Sequence, residues 1–348
     1  MIKTLQLGRG LAAVSVIAFH LSYMMAAPKY GGQAILGDYT RHGHYGVEFF
    51  FVLSGFIILF AHINDLGRPQ ALGTFLYRRF VRLFPTYWLY TAILTAMILL
   101  GLGSSVIPST GEGWFSALTL VRIDGSAPPL APAWSLFHEV VFYLVFSLLI
   151  LNLRWGLLAF ALFVGAGLFL QELTTEGHRT PLSVYGSVYN IFFAFGMVAY
   201  KLYTRDGKGL LELVSGVLLV WAAFWLAPGD DSLARPVMVG LGFALLLAGI
   251  TKFERAGYIS VPKFFVYLGD ASYSIYLIQI PVMGAVLKLM RKAQEYTELS
   301  PYVVYVIVLI ATTAAGCCAY SLIERRIMSQ LRRREKRAGA LHIQAAKA

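Results

Sequence analysis

Ten runs of predominantly apolar residues recur from one end of the chain to the other, covering 5–26, 46–62, 84–103, 134–151, 155–170, 187–203, 209–226, 233–250, 271–290 and 301–323. An α-helix rises ~1.5 Å per residue and needs ~20 apolar residues to cross a bilayer core of ~30 Å. In hydrocarbon every backbone N–H and C=O must be satisfied inside the spanning element, so such runs dictate helices. The expected fold is therefore an all-α integral membrane protein of about ten transmembrane helices. The second and fifth runs are short for a full crossing and are expected to tilt little or to be partly re-entrant. The longest connections, 27–45, 63–83, 104–133 and 251–270, leave no room for a soluble domain. Composition agrees, because 58% of the 348 residues are apolar or aromatic and 14% are charged. A soluble domain carries ~25% charged residues, so a soluble enzyme, a disordered chain and a disulfide scaffold are excluded.

The net charge of +11 gains meaning only from its positions. With a cytoplasmic N-terminus, alternating crossings put 21 of the 29 Lys and Arg residues inside and 8 outside. Basic loops stay on the cytoplasmic side, so both termini are expected there. Residues 1–330 then form a single transmembrane domain, and 331–348 a solvated basic cytoplasmic tail with no nucleic-acid role. The first run is read as a retained helix, because His20 interrupts its apolar stretch and Met25 occupies the −3 position of a cut after Ala27. Cys317 and Cys318 are adjacent within an apolar run. Neighbouring cysteines cannot close a useful disulfide loop and have no zinc-ligand spacing, so both are packing residues and no metal is expected.

Ionisable residues inside a span are costly, and by default they mark function. His20 lies about six residues from the outer end of the first run, ~9 Å below that surface. Glu48 is placed near the outer start of the second, and Glu139 about five residues into the fourth, ~7.5 Å down. His20 and Glu139 are thus expected at nearly one depth, as a general base and its orienting carboxylate require, with Glu48 the other carboxylate that could orient the imidazole. Arg9 precedes His20 by 11 residues, three turns plus roughly 20°, so both occupy one stripe of the helix about 16 Å apart. Arg78, Arg79 and Arg82 fall in the loop expected before the third span, where guanidinium groups can bind a phosphate bidentately. Arg79 and Arg82 are three residues apart and would share a helix face.

Five stretches, LGRGLAAVSVIAFH, GVEFFFVLSGFII, RRFVRLFPTYW, PAWSLFHEVVFY and LGDASYSIYLIQIP, follow one another between residues 7 and 281. Together and in this order they resemble the membrane acyltransferase-3 family of O-acyltransferases. The resemblance implies ten helices, a place in the bacterial inner (plasma) membrane, and transfer of an acyl group, commonly acetyl, from coenzyme A to a carbohydrate or lipid hydroxyl. Acyl-CoA would be a co-substrate rather than a resident cofactor. Residue by residue, Arg9 and His20 match the family's Arg, ten residues, His pattern, with the histidine catalytic, as a general base or as an acyl carrier through an acyl-imidazole. Glu48 matches the acidic position of the second motif, and Arg79 and Arg82 the Arg-x-x-Arg associated with acyl-CoA, beside Arg78. Trp134, Ser135, Glu139, Phe142 and Tyr143 match the fourth motif, with Trp134 and Tyr143 candidates to line a sugar site. Ser272, Tyr273, Ser274 and Tyr276 match the fifth. Two departures stand out: Val140 replaces a second acidic residue, and Gln279 stands where histidine is common. The fused extracytoplasmic esterase-like domain of some members has no counterpart, so the acceptor is expected to come to the membrane face.

A proton-coupled transporter or flippase using His20 and Glu139 as a relay is the alternative reading. It does not need a cytoplasmic arginine pair in line with the buried histidine, and no convincing inverted repeat supports it.

Overall fold

The protein is described by a computed structural model covering residues 2–102, 106–170, 180–226, 233–331 and 333. Most of the tail 331–348 therefore lies outside the described residues. Among the described residues, ten helices of 16 residues or more form the framework. They are α1 (Lys3–Met25), α2 (Gly46–His62), α3 (Leu72–Leu99), α4 (Trp134–Leu151) and α5 (Leu153–Phe169), followed by α6 (Tyr189–Thr204), α7 (Leu210–Trp225), α8 (Ala234–Arg255), α9 (Lys263–Gln294) and α10 (Pro301–Ala319). Each expected span corresponds to one helix, and no strand occurs among the described residues. Seven helical stretches are long and apolar enough to cross a membrane, and α5 and α7 are shorter apolar helices. The chain is thus a multi-pass, all-helical membrane protein.

Three boundaries depart from expectation, each for a physical reason. The second span is not short: helical turns begin at Gly37, and the path from Gly37 to Asp65 holds 29 residues. The third helix starts at Leu72, so Arg78, Arg79 and Arg82 lie on a helix rather than in a loop. Their charge hid it from a search for apolar runs, and Pro85 sits within the helix although it cannot donate a backbone hydrogen bond. The tenth helix passes through a π-helical turn at Tyr320–Glu324 and continues to Leu331.

Close backbone approach holds the bundle together. A Cβ on Gly196 of α6 would lie 1.9 Å from the Val52 carbonyl oxygen of α2, so only glycine fits this crossing. Beside it, Phe142 and Phe193 stack with ring centroids 4.1 Å apart, within a core built mainly from α2, α3, α4 and α6. A second apolar cluster joins α1, α9 and α10. The first turn of α1 has no side-chain cap of its own. Glu254, at the end of α8, supplies it, accepting from the Lys3 and Thr4 amides at 2.7 Å each and from Thr4 Oγ1 at 2.6 Å. A carboxylate there satisfies orphan N–H groups and complements the helix dipole.

The connection between α3 and α4 is fixed as firmly. Thr110 caps the short helix Gly111–Thr119. Tyr87 Oη and Trp88 Nε1 of α3 donate to the carbonyls of Ala117 and Leu118, at 2.6 and 2.8 Å. Downstream, Leu130, Pro132 and Ala133 are buried, so the chain enters the bundle before α4 begins.

Candidate active site

Helices α1 and α9 run side by side in the same direction. Arg9 Nε donates to Ser272 Oγ at 3.2 Å near one end, and His20 Nδ1 faces Gln279 Oε1 at 3.4 Å near the other. Between the helices around this pair lies a cavity of about 140 Å³. Its polar lining is Arg9, Ser54, Arg79, Arg82, Ser135, Glu139, Tyr143, Ser272, Tyr273 and Tyr276. A second cavity, of about 550 Å³, is lined by Gln6, Arg9, Arg82, Asp270, Tyr320, Glu324, Arg325, Met328 and Ser329. Arg9 and Arg82 belong to both, so two guanidinium groups stand where the cavities meet.

Arg82 holds the junction through a buried network. Its Nη1 donates to Glu324 Oε1 at 2.7 Å, and Ser274 Oγ donates to Glu324 Oε2 at 2.6 Å. Tyr90 Oη lies 2.8 Å from the same serine hydroxyl. Glu324 is wholly buried, whereas 31% of the Arg82 side chain is accessible, in keeping with its place on both cavities. A carboxylate with no access to water needs such a partner, because desolvating it alone is prohibitive. The π-helical turn ends at this residue: its extra residue per turn shifts the helix phase, as π-turns at functional sites commonly do. The guanidinium of Arg82 also lies 5.4 Å from the Tyr273 ring, and that tyrosine donates to the Leu83 carbonyl at 2.8 Å. Arg79 faces the Phe75 and Tyr143 rings at 6.0 and 5.9 Å, and its buried Nε has no hydrogen-bond partner.

Glu139 accepts from Tyr143 Oη, one turn further along α4, and from Ser54 Oγ of α2 at 3.4 Å. It is the one carboxylate on the smaller cavity. Against three arginines there, the lining carries an excess of positive charge.

Nine residues singled out in the sequence thus meet on one cavity: Arg9, Arg79, Arg82, Ser135, Glu139, Tyr143, Ser272, Tyr273 and Tyr276. Arg78, Trp134, Glu48 and His20 are among those that do not line it. Arg78 is exposed on the other face of α3. Trp134 packs against His138 and Tyr189, with centroids 5.9 and 5.4 Å apart. Glu48 is buried, and its Oε1 lies 3.8 Å from His44 Nδ1. His20 lies beyond the cavity, with Gln279.

The expected pairing of His20 with Glu139 or Glu48 is not the arrangement found. Tyr276 of α9, ~4.5 Å below Gln279 along the helix, reaches Ser135 at 2.9 Å, and Glu139 follows one turn deeper in α4. Glu139 therefore sits about 10 Å nearer the Arg9 end than Gln279 does. The buried approach to α4 lowers its start, which counting from a surface could not reveal. Likewise Gly46 at the start of α2 packs against α1 halfway along, where a Cβ would meet the Ala12 carbonyl oxygen at 2.7 Å. Glu48 is accordingly at mid-height rather than near an outer surface.

Sequence reasoning missed Glu324, Ser54 and Asp270. Glu324 falls one residue past the tenth apolar run, beside Arg325 and Arg326, and reads as part of a basic tail. The one available signal was charge balance, since three arginines on buried faces call for more carboxylates than Glu139.

A bundle of membrane-crossing helices around a buried arginine-rich cavity, with a histidine further along α1, defines a multi-pass membrane protein with a cationic internal site. The family model described as an acyltransferase domain matches residues 2–321, and the chain belongs to that family, acyltransferase-3. It is an acyltransferase. The exopolysaccharide production protein ExoZ of Rhizobium meliloti (strain 1021) is 28% identical over 344 residues, covering 87% of this chain and 95% of ExoZ. The peptidoglycan O-acetyltransferase OatA of Listeria monocytogenes is 27% identical across 79% of this chain, which spans 48% of OatA. The acyltransferase MdmB of Streptomyces mycarofaciens is 25% identical, with 95% of this chain and 93% of MdmB covered. No solved structure matches the chain.

Proposed function

We propose that the protein moves an acyl group, acetyl in the simplest case, from cytoplasmic acyl-CoA to a hydroxyl of a carbohydrate or glycolipid at the bacterial inner membrane. The observation that carries this reading is the junction at Arg9 and Arg82, where the larger cavity meets the smaller one. Phosphates cannot enter hydrocarbon without countercharge, and guanidinium groups bind them through paired hydrogen bonds. Arg9, Arg79 and Arg82 supply that countercharge. The excess of basic residues on the N-terminal side, 21 against 8, supports placing this end in the cytoplasm, where acyl-CoA is made. The relatives ExoZ and OatA, named for exopolysaccharide and peptidoglycan, favour a carbohydrate acceptor.

In this mechanism the donor's anionic head stays at the arginines, and its thioester extends along the Arg9–His20 face of α1. His20 takes the proton of the acceptor hydroxyl, whose oxygen attacks the thioester carbonyl. The new C–O bond forms, the C–S bond breaks, and the imidazolium returns its proton to the departing thiolate. Glu139, bridged by Tyr143 and Ser54, balances part of the arginine charge while the donor site is empty.

The test uses detergent-purified protein, 14C-acetyl-CoA and the glycan fraction of the producing cell's envelope. Label is expected to pass to glycan without any membrane gradient, and mass spectrometry of surface glycans from cells lacking the protein is expected to show a lost acyl mass. Transfer that requires a gradient, or glycans of unchanged mass, would reject the reading.

A further inference from the structure

Gln279 is fully buried on α9, at 0% exposure. Its Oε1 stands 3.4 Å from His20 Nδ1, while its buried Nε2 has no hydrogen-bond partner among the described residues. Packing alone does not call for an amide here. A methionine fills nearly the same volume and leaves no orphaned donor, and each such donor costs about 1–3 kcal/mol. A buried polar group kept under that penalty requires an explanation, and its hydrogen-bond contact among the described residues is with the imidazole.

That contact carries chemical information. A side-chain carbonyl oxygen only accepts, so the imidazole nitrogen facing it carries the proton. A neutral imidazole has a single N–H, which leaves the lone pair on Nε2. This is the form a base needs. The seven-residue spacing from Ser272 to Gln279 is two helical turns less about 20°, so both lie on one stripe of α9. That stripe engages Arg9 through Ser272 and His20 through Gln279, setting both functional side chains of α1 from a single neighbour.

We propose that Gln279 is a positioning residue whose carbonyl oxygen holds His20 as the Nδ1–H tautomer and so presents Nε2 to the acceptor hydroxyl. The proposal rests on the reading of His20 as the base. During transfer the hydroxyl proton passes to Nε2 while Nδ1–H remains donated to Gln279, and the same oxygen stabilises the imidazolium until Nε2 returns the proton to the thiolate.

The experiment measures kcat and KM for 14C-acetyl-CoA with purified full-length protein and the envelope glycan fraction. Gln279→Met, which keeps volume and removes the acceptor, is expected to lower kcat about 10- to 100-fold, short of the ~10⁴ lost when a catalytic histidine takes the wrong tautomer. KM is expected to be unchanged. Gln279→Asn, which withdraws the carbonyl by one methylene and keeps polarity, is expected to give the same fall. Gln279→Glu, which keeps an acceptor oxygen in place, is expected to recover most of the lost kcat. Wild-type kcat in the Met and Asn variants, or equal losses in Met and Glu, would overturn the proposal. His20→Ala is measured alongside: continued transfer there overturns the reading of His20 itself, whereas an inactive His20→Ala beside a fully active Gln279→Met rejects Gln279 alone.

Discussion

Around Arg9, the start of α1 is crowded with charge: Arg79, Arg82, Glu139, Asp270, Glu324 and Arg325 all line the two cavities that meet there. Around His20, about 16 Å further along the same helix, the imidazole faces uncharged groups, the Gln279 amide and the Val16 carbonyl. The first end is built as ion pairs and cation–π contacts, the second as a single oriented ring. A site that holds a polyanion needs many cations and enough carboxylates to keep them tolerable when it is empty. A site that moves one proton needs one group with a free lone pair. Under the proposed function, donor binding falls at one end of α1 and acceptor chemistry at the other.

Variants can break or sharpen that division. The largest effect is expected from His20→Ala, because positioned general bases contribute about 10²- to 10⁴-fold. Label transfer should fall by that factor while protein level in the membrane holds, and undiminished transfer would remove the chemical end altogether. Next comes the ion pair at the junction. Arg82→Ala leaves Glu324 buried and without its cation, which costs about 3–5 kcal/mol where no water reaches the orphan. Glu324→Ala is expected to cost less, because Arg82 keeps access to the cavities. Thermal unfolding in detergent reads the order of the two, and the reverse order would contradict the assigned burial. Arg79→Ala is expected to raise KM for acetyl-CoA about tenfold, the equivalent of ~1.4 kcal/mol, with kcat unchanged. A fall in kcat alone would move Arg79 to the chemical end. The smallest effect on the donor site belongs to Arg78→Ala: exposed on α3 and outside both cavities, it should leave KM for acetyl-CoA unchanged.

The fold was legible because hydrocarbon permits so little: ten apolar runs had to be helices, and each is one. Most of the cavity's polar lining was legible too, from charged residues in apolar surroundings and from the resemblance of five motifs. Depth was not. Counting residues from a surface assumes that a helix begins there, and neither α2 nor α4 does. The turns from Gly37 carry the chain alongside α1 before Glu48, and the approach that buries Leu130, Pro132 and Ala133 lowers Glu139. Those two displacements separate both carboxylates from His20 and leave Gln279 beside it. Glu324 was hidden differently, since its place depends on a π-helical turn that no apolar periodicity announces.

The division of labour along α1 is tested most directly by titrating acetyl-CoA into purified His20→Ala protein. The donor is expected to bind with the wild-type dissociation constant, within about twofold, although transfer is lost. A dissociation constant raised tenfold or more would mean that His20 belongs to the donor site, and the two-ended account would be wrong.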